Sequence, residues 1–244
     1  MSARTIVVTG AGQGLGKAIA LAFARDGERV VLAARTAARL EEVAEAVRAA
    51  GGEPVVVPTD VGDAERVAAL ARRAGTADAA VLAAGIAGPI GPAWAVAPED
   101  FEATLRANLT GAFLCARALL PAMVARGAGS LVAIGSMTGK RPLSGRAAYG
   151  ASKMGLIGLV RSLAWDAGPH GVRVNLISPG PVAGPRLDAV ADADARAALL
   201  AAAPLGRFAT AEDVAATARF LCSDAAAAIT GEDVNVTAGT VMHG

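Results

Sequence analysis

Four chemically useful side chains are scarce in this 244-residue chain: one tyrosine, two histidines, two cysteines and three lysines, against 20 arginines. Cys115 and Cys222 sit in apolar, helix-like segments, so no disulfide framework is expected and a reducing, cytoplasmic setting is. His170 and His243 leave too little for a histidine-based metal site, and no metal is expected. Blocks of like charge are missing too. With 23 basic and 22 acidic residues the net charge is +1, which argues against a nucleic-acid footprint or a tail for acidic partners. The mean hydropathy of +0.46 invites a membrane reading. However, the longest uncharged run, 79–98, is broken by Pro89, Pro92, Pro98, Gly85, Gly88 and Gly91. The N-terminus, Met1-Ser2-Ala3-Arg4, runs straight into a strand-like segment without a signal-peptide core. No membrane is therefore expected.

What is present is an alternation. Val/Ile/Leu-rich runs at 5–9, 29–34, 54–58, 79–83, 130–135, 172–177 and 233–236 read as strands. Amphipathic patterns at 14–26, 36–50, 63–73, 99–126, 146–168 and 211–223 read as helices. Continuously apolar strands separated by helices imply a parallel sheet covered on both faces. No repeat or linker interrupts them, so a single doubly wound α/β domain over 1–244 is expected. Only 179–210 breaks the rhythm, with a Pro/Gly-rich turn and then an Ala/Asp helix. Its length suggests a lid over a substrate at about 181–209.

The one tyrosine, Tyr149, stands four residues before Lys153, so in a helix the two share a face with Cβ atoms within about 6 Å. A phenol has a free pKa near 10 and would have to fall to about 7 to exchange protons efficiently. A cation about 4 Å away, at an effective dielectric of ~20, supplies up to ~4 kcal/mol, or near three pKa units. The first strand ends in Thr9-Gly10-Ala11-Gly12-Gln13-Gly14-Leu15-Gly16 and opens a helix. Glycines there allow a tight turn and a close approach to a pyrophosphate, which the helix N-terminus favours. Arg35, after the second strand, suits the 2′-phosphate of NADP, whereas NAD would call for a carboxylate. It also reads as the start of a solvated helix that contains Arg39. Asp60 either meets the adenine end of a dinucleotide or caps the next helix.

These residues resemble the short-chain dehydrogenase/reductase family, in its single-domain, 3-oxoacyl-carrier-protein-reductase-like branch. The resemblance runs over essentially the whole chain: the glycine turn at 9–16, Asn108 in a long helix, Ser136 after the fifth strand, Tyr149 and Lys153, then Asn175 and Pro179-Gly180. It implies a Rossmann-type sheet of about seven strands. It also implies direct hydride transfer between a carbonyl or alcohol and NADP(H), with NAD(H) possible. Tyr149 would be the acid/base, Ser136 the group orienting the reacting oxygen, Lys153 the ribose anchor and phenol tuner, and Asn108 the holder of a relay water. Cofactor contacts are expected from Gly10, Gln13, Gly14, Leu15, Gly16, Arg35, Asp60, Val61, Ala84, Gly85, Tyr149, Lys153, Pro179, Gly180 and Val182. A homotetramer is expected, or else a homodimer.

Some positions depart from the family pattern. Ala83-Ala84-Gly85 replaces the usual Asn-Ala-Gly and removes an amide that ties the central strands to the cofactor's ribose side. The segment 60–85 is short, so its helix is expected to be trimmed. Gly184 stands where a Thr often follows Pro-Gly, and Gln13 where many NADP users carry a basic residue. The substrate is expected to be a small carbonyl or alcohol. Its wall is formed by Ser136, Met137, Tyr149 and the segment through Lys140, Arg141, Pro142 and Leu143, with Trp94 in a nearby loop. Arg186 could meet an anionic substrate group or pair with Asp188, Asp192 or Asp194. Arg126 could join a basic patch for an acyl-carrier protein. Two other functions fit the same residues: an NAD-linked alcohol or polyol dehydrogenase, and a nucleotide-binding sensor without turnover.

Overall fold

Each apolar run forms a strand of one parallel sheet in the computed structural model, which describes residues 3–188 and 191–242. The strands are β1 (Thr5–Thr9), β2 (Arg29–Ala34), β3 (Glu53–Pro58), β4 (Ala79–Leu82), β5 (Gly129–Ile134), β6 (Val172–Pro179) and β7 (Asp233–Val236). Their order is β3-β2-β1-β4-β5-β6-β7, and every neighbouring pair is parallel. Parallel strands need crossover connections, and the helices supply them. These are α1 (Gly14–Ala24), α2 (Ala37–Ala49), α3 (Ala64–Ala74), α4 (Pro98–Leu105), α5 (Gly111–Arg126), the short α6 (Met137–Lys140), α7 (Ala147–Ala167), α8 (Pro185–Asp188), α9 (Ala193–Ala201) and α10 (Ala211–Leu221). The order reverses between β1 and β4, which makes the carboxyl ends of those strands the crevice where open α/β sheets bind ligands.

Strand periodicity divides the core in two. Ile6, Val8, Val30, Leu32, Val81 and Val132 face one way and pack with Ile19, Phe23, Val43, Val47, Val214 and Leu221 of α1, α2 and α10. Val7, Val31, Ala80, Leu131 and Val174 face the other way and meet Leu70 of α3, Leu119 and Met123 of α5, and Leu156 and Val160 of α7. Both cysteines lie free in this interior. Burial pushes each thiol up to about 12, so neither is a nucleophile near neutral pH.

The long helix expected at 99–126 forms with one irregularity. Between α4 and α5, Arg106–Thr110 make a π turn, an insertion that proteins often keep at functional sites. The whole element, Pro98–Arg126, is 29 residues long and apolar enough to cross a membrane by length and composition, with 39% of its most apolar window buried. Here its buried side, including Cys115, Ala116 and Met123, belongs to the core. The trimmed third helix is present as α3, whose N-terminus is capped by Asp63, accepting from Glu65 N at 2.9 Å and Arg66 N at 3.1 Å. The 179–210 segment holds α8 and α9, and a bridge between Val182 and Ala209 pins its two ends together.

Candidate active site

The glycine turn is shaped by contacts that leave no room for side chains. A Cβ on Gly10, where φ is +68°, would lie 2.8 Å from the Ala83 carbonyl and from Ala84 N, and one on Gly16 would overlap the Gly10 carbonyl. Gly14 is the opposite case, with φ +54° and open space around it. Gln13 precedes α1 in extended conformation without a side-chain cap, so the first N–H groups of α1 are left to an anion. Leu15 packs partly into the core. This cradle fits a dinucleotide pyrophosphate. At the end of β1 the Thr9 hydroxyl accepts from Ala84 N at 3.2 Å, which ties β1 to β4 where the expected asparagine is missing.

Lys153, on α7, reaches the same crevice. Its side chain is buried, and Nζ donates to Ile134 O at the end of β5 at 2.8 Å. A Cβ on Gly85 would sit 2.9 Å from Asn108 Oδ1 and 3.7 Å from Lys153 Nζ. The segment that packs on the glycine turn therefore also touches Asn108 and Lys153. Tyr149 shares the α7 face, with Lys153 Nζ 5.7 Å from its ring centroid. Ser136 follows β5 and caps α6, its hydroxyl accepting from Thr138 N at 3.1 Å, which leaves the O–H to be donated elsewhere. Helices α6 and α7 approach closely: a Cβ on Gly139 would lie 3.0 Å from the Lys153 carbonyl carbon. Among the described residues no His/Cys/Asp/Glu group is arranged to hold a metal; His243 lies outside them.

Asn108 is buried in the π turn and its side chain is committed to the protein. Oδ1 accepts from Ile86 N at 2.7 Å, and Nδ2 donates to Ile86 O at 3.0 Å and to Ser152 Oγ at 3.0 Å. Ser152 Oγ in turn donates to Tyr149 O at 2.7 Å. Asn108 thus fixes the loop after β4 against α7, with both amide hydrogens engaged in protein contacts. Ser152 was not singled out from sequence, although its place between Tyr149 and Lys153 puts it on the side of α7 turned towards the long helix.

Of the other expected cofactor residues, Asp60 accepts from Gly62 N at 2.9 Å, and the helix cap is Asp63 instead. Val61 is mostly core, pressed where a Gly111 Cβ would meet it at 2.6 Å. Pro179 ends β6, and Gly180 lies against Thr237, where a Cβ would approach to 2.9 Å. Arg35 is exposed. The guanidinium that reaches the glycine turn is that of Arg39, which donates to Gln13 Oε1 at 2.6 Å. Arg35 lies just before α2 and Arg39 within its first turn, four residues on in the sequence, the signal by which both could have been chosen.

Elsewhere the structure gives several expected groups structural partners. Asn175 is a core amide, donating to Ile229 O at 2.8 Å and accepting from Glu232 N at 3.1 Å. Arg126 pairs with Asp78 at 2.8 Å and donates to Ala128 O, which accounts for it without a carrier-protein patch. Asp188 pairs with Arg196, and Asp192 caps α9. Arg186 falls in α8, and its side chain lies outside those described. Met137 is buried, its sulfur 3.8 Å from Thr240 Oγ1. Lys140 turns away from the substrate wall into a buried pair with Asp233 at 2.8 Å. Trp94 is 90% exposed and forms no wall in this structure. Two shallow grooves along α4, about 410 and 270 Å³, contain none of the site residues named above.

Comparison with known proteins decides the family. A family model described as enoyl-(acyl carrier protein) reductase matches residues 10–241. Cis-4-hydroxycyclohexanecarboxylate dehydrogenase of Sinomonas cyclohexanicum is 38% identical over 97% of this chain and 96% of its own length. A 3-oxoacyl-[acyl-carrier-protein] reductase of Synechocystis is 36% identical over 99% of this chain and 98% of its own. The chain belongs to the short-chain dehydrogenase/reductase family. Among solved structures, NAD⁺-bound xylitol dehydrogenase superposes with a TM-score of 0.91 at 29% identity, covering 97% of this chain and 98% of that one. As a short-chain dehydrogenase/reductase, the protein is an NAD(P)-dependent oxidoreductase acting between CH–OH and C=O groups.

Proposed function

We propose that this enzyme reduces a small ketone or aldehyde, or oxidises the corresponding alcohol, with Tyr149 as proton donor and acceptor. The observation that carries the reading is the placement of Lys153. Its ammonium touches the segment that packs on the glycine turn and lies 5.7 Å from the centre of the only phenol. A bound nicotinamide supplies or accepts the hydride. The chain does the rest. Ser136, its hydroxyl lone pair already engaged by Thr138 N, directs its proton at the reacting oxygen. Lys153 favours the phenolate and would hold the ribose; Asn108 keeps the Gly85–Ile86 loop at the distance this needs. On this reading a proton-transfer group and a hydride carrier meet at one carbonyl, the proximity on which such catalysis depends.

The reading includes a preference for NADP(H). It is supported by Arg39, which reaches Gln13 of the glycine turn, and Arg35 just after β2, with no acid among the residues 35–39 where a ribose 2′-OH would be held. The NAD⁺-bound relative favours the second reading, an NAD-linked polyol or alcohol dehydrogenase. Exposed Phe113 on α5 with Met154 and Trp165 on α7 supports a homo-oligomer, with a homotetramer as the proposal. Light scattering that gives a monomer mass at micromolar protein removes that part. The buried thiols suit a cytoplasmic location.

The test is a screen of carbonyls and alcohols with both nicotinamides, followed at the absorbance of the reduced cofactor. Tyr149→Phe is expected to lose at least 10²-fold in kcat while still binding NADPH. A Tyr149→Phe variant with full turnover would overturn the assignment of the acid/base. A wild type that binds NADPH but turns over nothing points to a sensor.

A further inference from the structure

Arg146 stands three residues before Tyr149, at the start of α7. Its Cζ lies 5.5 Å from the Tyr149 ring centroid, as near as the Lys153 ammonium. Five arginines among the described residues are partly buried: Arg4, Arg29, Arg146, Arg173 and Arg196. Arg4, Arg29 and Arg196 pair with Glu28, Glu53 and Asp188. Arg173 is wrapped in carbonyls, donating to Leu221 O at 2.7 Å and Ser223 O at 3.0 Å. Arg146 has only a long 3.5 Å contact to Ala87 O, and among the described residues no carboxylate lies within 4 Å of it.

Apart from the Tyr149 ring, that placement leaves much of the guanidinium's binding capacity unused. A guanidinium carries five N–H donors and stays charged. The single 3.5 Å contact to Ala87 O leaves most of these donors available to another acceptor, and a cation beside the first turn of a helix opposes the helix dipole. A second cation, Lys153, lies 5.7 Å from the same ring centroid. An anion arriving beside Tyr149 would relieve all three at once. The site is also held in position: Gly91 N donates to Gly145 O at 3.1 Å, which joins the loop after β4 to the residue preceding Arg146.

We propose that Arg146 is a specificity-determining residue that binds a carboxylate of the substrate. The substrates are then small oxo and hydroxy acids, in which a few carbon atoms separate the carboxylate from the carbonyl or alcohol carbon handled by Tyr149. The inference rests on the reading of Tyr149 as the proton-transfer group. A forked, charge-assisted pair would give the acid an advantage over its uncharged ester.

The probes are 4-oxocyclohexanecarboxylate and its methyl ester. Reduction of each is measured with wild type, Arg146→Met, Arg146→Lys and Tyr149→Phe, and binding of each to the protein holding nicotinamide is measured by calorimetry. The ratio of kcat/KM for acid over ester is expected to fall about ten- to hundredfold in Arg146→Met, mainly through KM, with partial recovery in Arg146→Lys. Equal losses for acid and ester would show a structural role and overturn the proposal, as would a wild type that handles both alike. Acid-selective binding that depends on Arg146, in a protein without turnover, would uphold the carboxylate site and sink the reading of Tyr149.

Discussion

Replacing Lys140 by Met removes one charge from a pair that is almost wholly buried. The two side chains are 7% and 3% exposed, and Nζ meets Asp233 Oδ2 at 2.8 Å and Asn235 Oδ1 at 2.5 Å. Neither Asp233 oxygen has an aligned hydrogen-bond donor among the described residues, so the 2.8 Å contact is one of charge and Lys140 is the main compensation for that carboxylate. Methionine keeps the volume of the stem but leaves a buried, unpaired anion, at a cost of about 3–5 kcal/mol. At roughly 2–4 °C per kcal/mol for a chain of this size, the melting temperature should fall by about 6–20 °C. The companion variant Lys140→Met with Asp233→Leu removes both charges. Because a buried pair gains little over well-packed apolar residues, this double variant should recover to within about 1 kcal/mol of wild type. Differential scanning calorimetry on the two variants decides. A single variant melting within about 2 °C of wild type, by the same scaling, would show that the pair is solvated or rearranges freely. The double variant serves a second purpose, since α6 carries Ser136 at its N-cap. Restored stability with depressed turnover would show that the pair also sets the position of Ser136.

Three further outcomes are expected. With its ammonium 5.7 Å from the ring centroid, Lys153 favours the charged phenolate over the phenol. In Lys153→Met the acid limb of kcat for alcohol oxidation, at saturating cofactor, should therefore move to higher pH, because the base form is reached only there. A uniform loss at all pH values would reduce Lys153 to a ribose anchor. Arg39→Ala should weaken NADPH binding about tenfold or more relative to NADH, and Arg35→Ala should act in the same direction. Fluorescence titration that finds the ratio unchanged in both variants refutes the NADP preference. The Arg207 guanidinium, then the Thr210 backbone N–H, hold the Asp213 carboxyl at about 2. This folded-state lowering contributes stability above the ordinary carboxylate range, and that contribution is lost as pH falls through about 2. Asp213→Ala, which breaks the capping box of α10, should cost about 1 kcal/mol at neutral pH. Its deficit in denaturant melts should shrink as pH drops from about 4 towards about 2.

Much of this molecule was decided by local pattern. Ile6-Val7-Val8 and Val30-Val31-Leu32 are apolar at consecutive positions because both faces of the sheet are covered, and that alone implies parallel strands with helices on either side. The four-residue interval from Tyr149 to Lys153 and the glycines of the first turn are similarly local, since helix pitch and positive φ act over a few residues. Tertiary packing decided what those side chains meet. The sequence could not show that Asn108 spends both amide hydrogens on Ile86 and Ser152, that Arg39 and not Arg35 reaches Gln13, or that Lys140 crosses to Asp233. Nor could it show that Arg146, alone among the partly buried arginines of the described residues, lacks a close acceptor. Each of these facts joins residues from different elements, and a guanidinium or amide has the reach and torsional freedom to satisfy its hydrogen bonds in several directions. Which one it takes is set by the strands and helices that packing has brought near it.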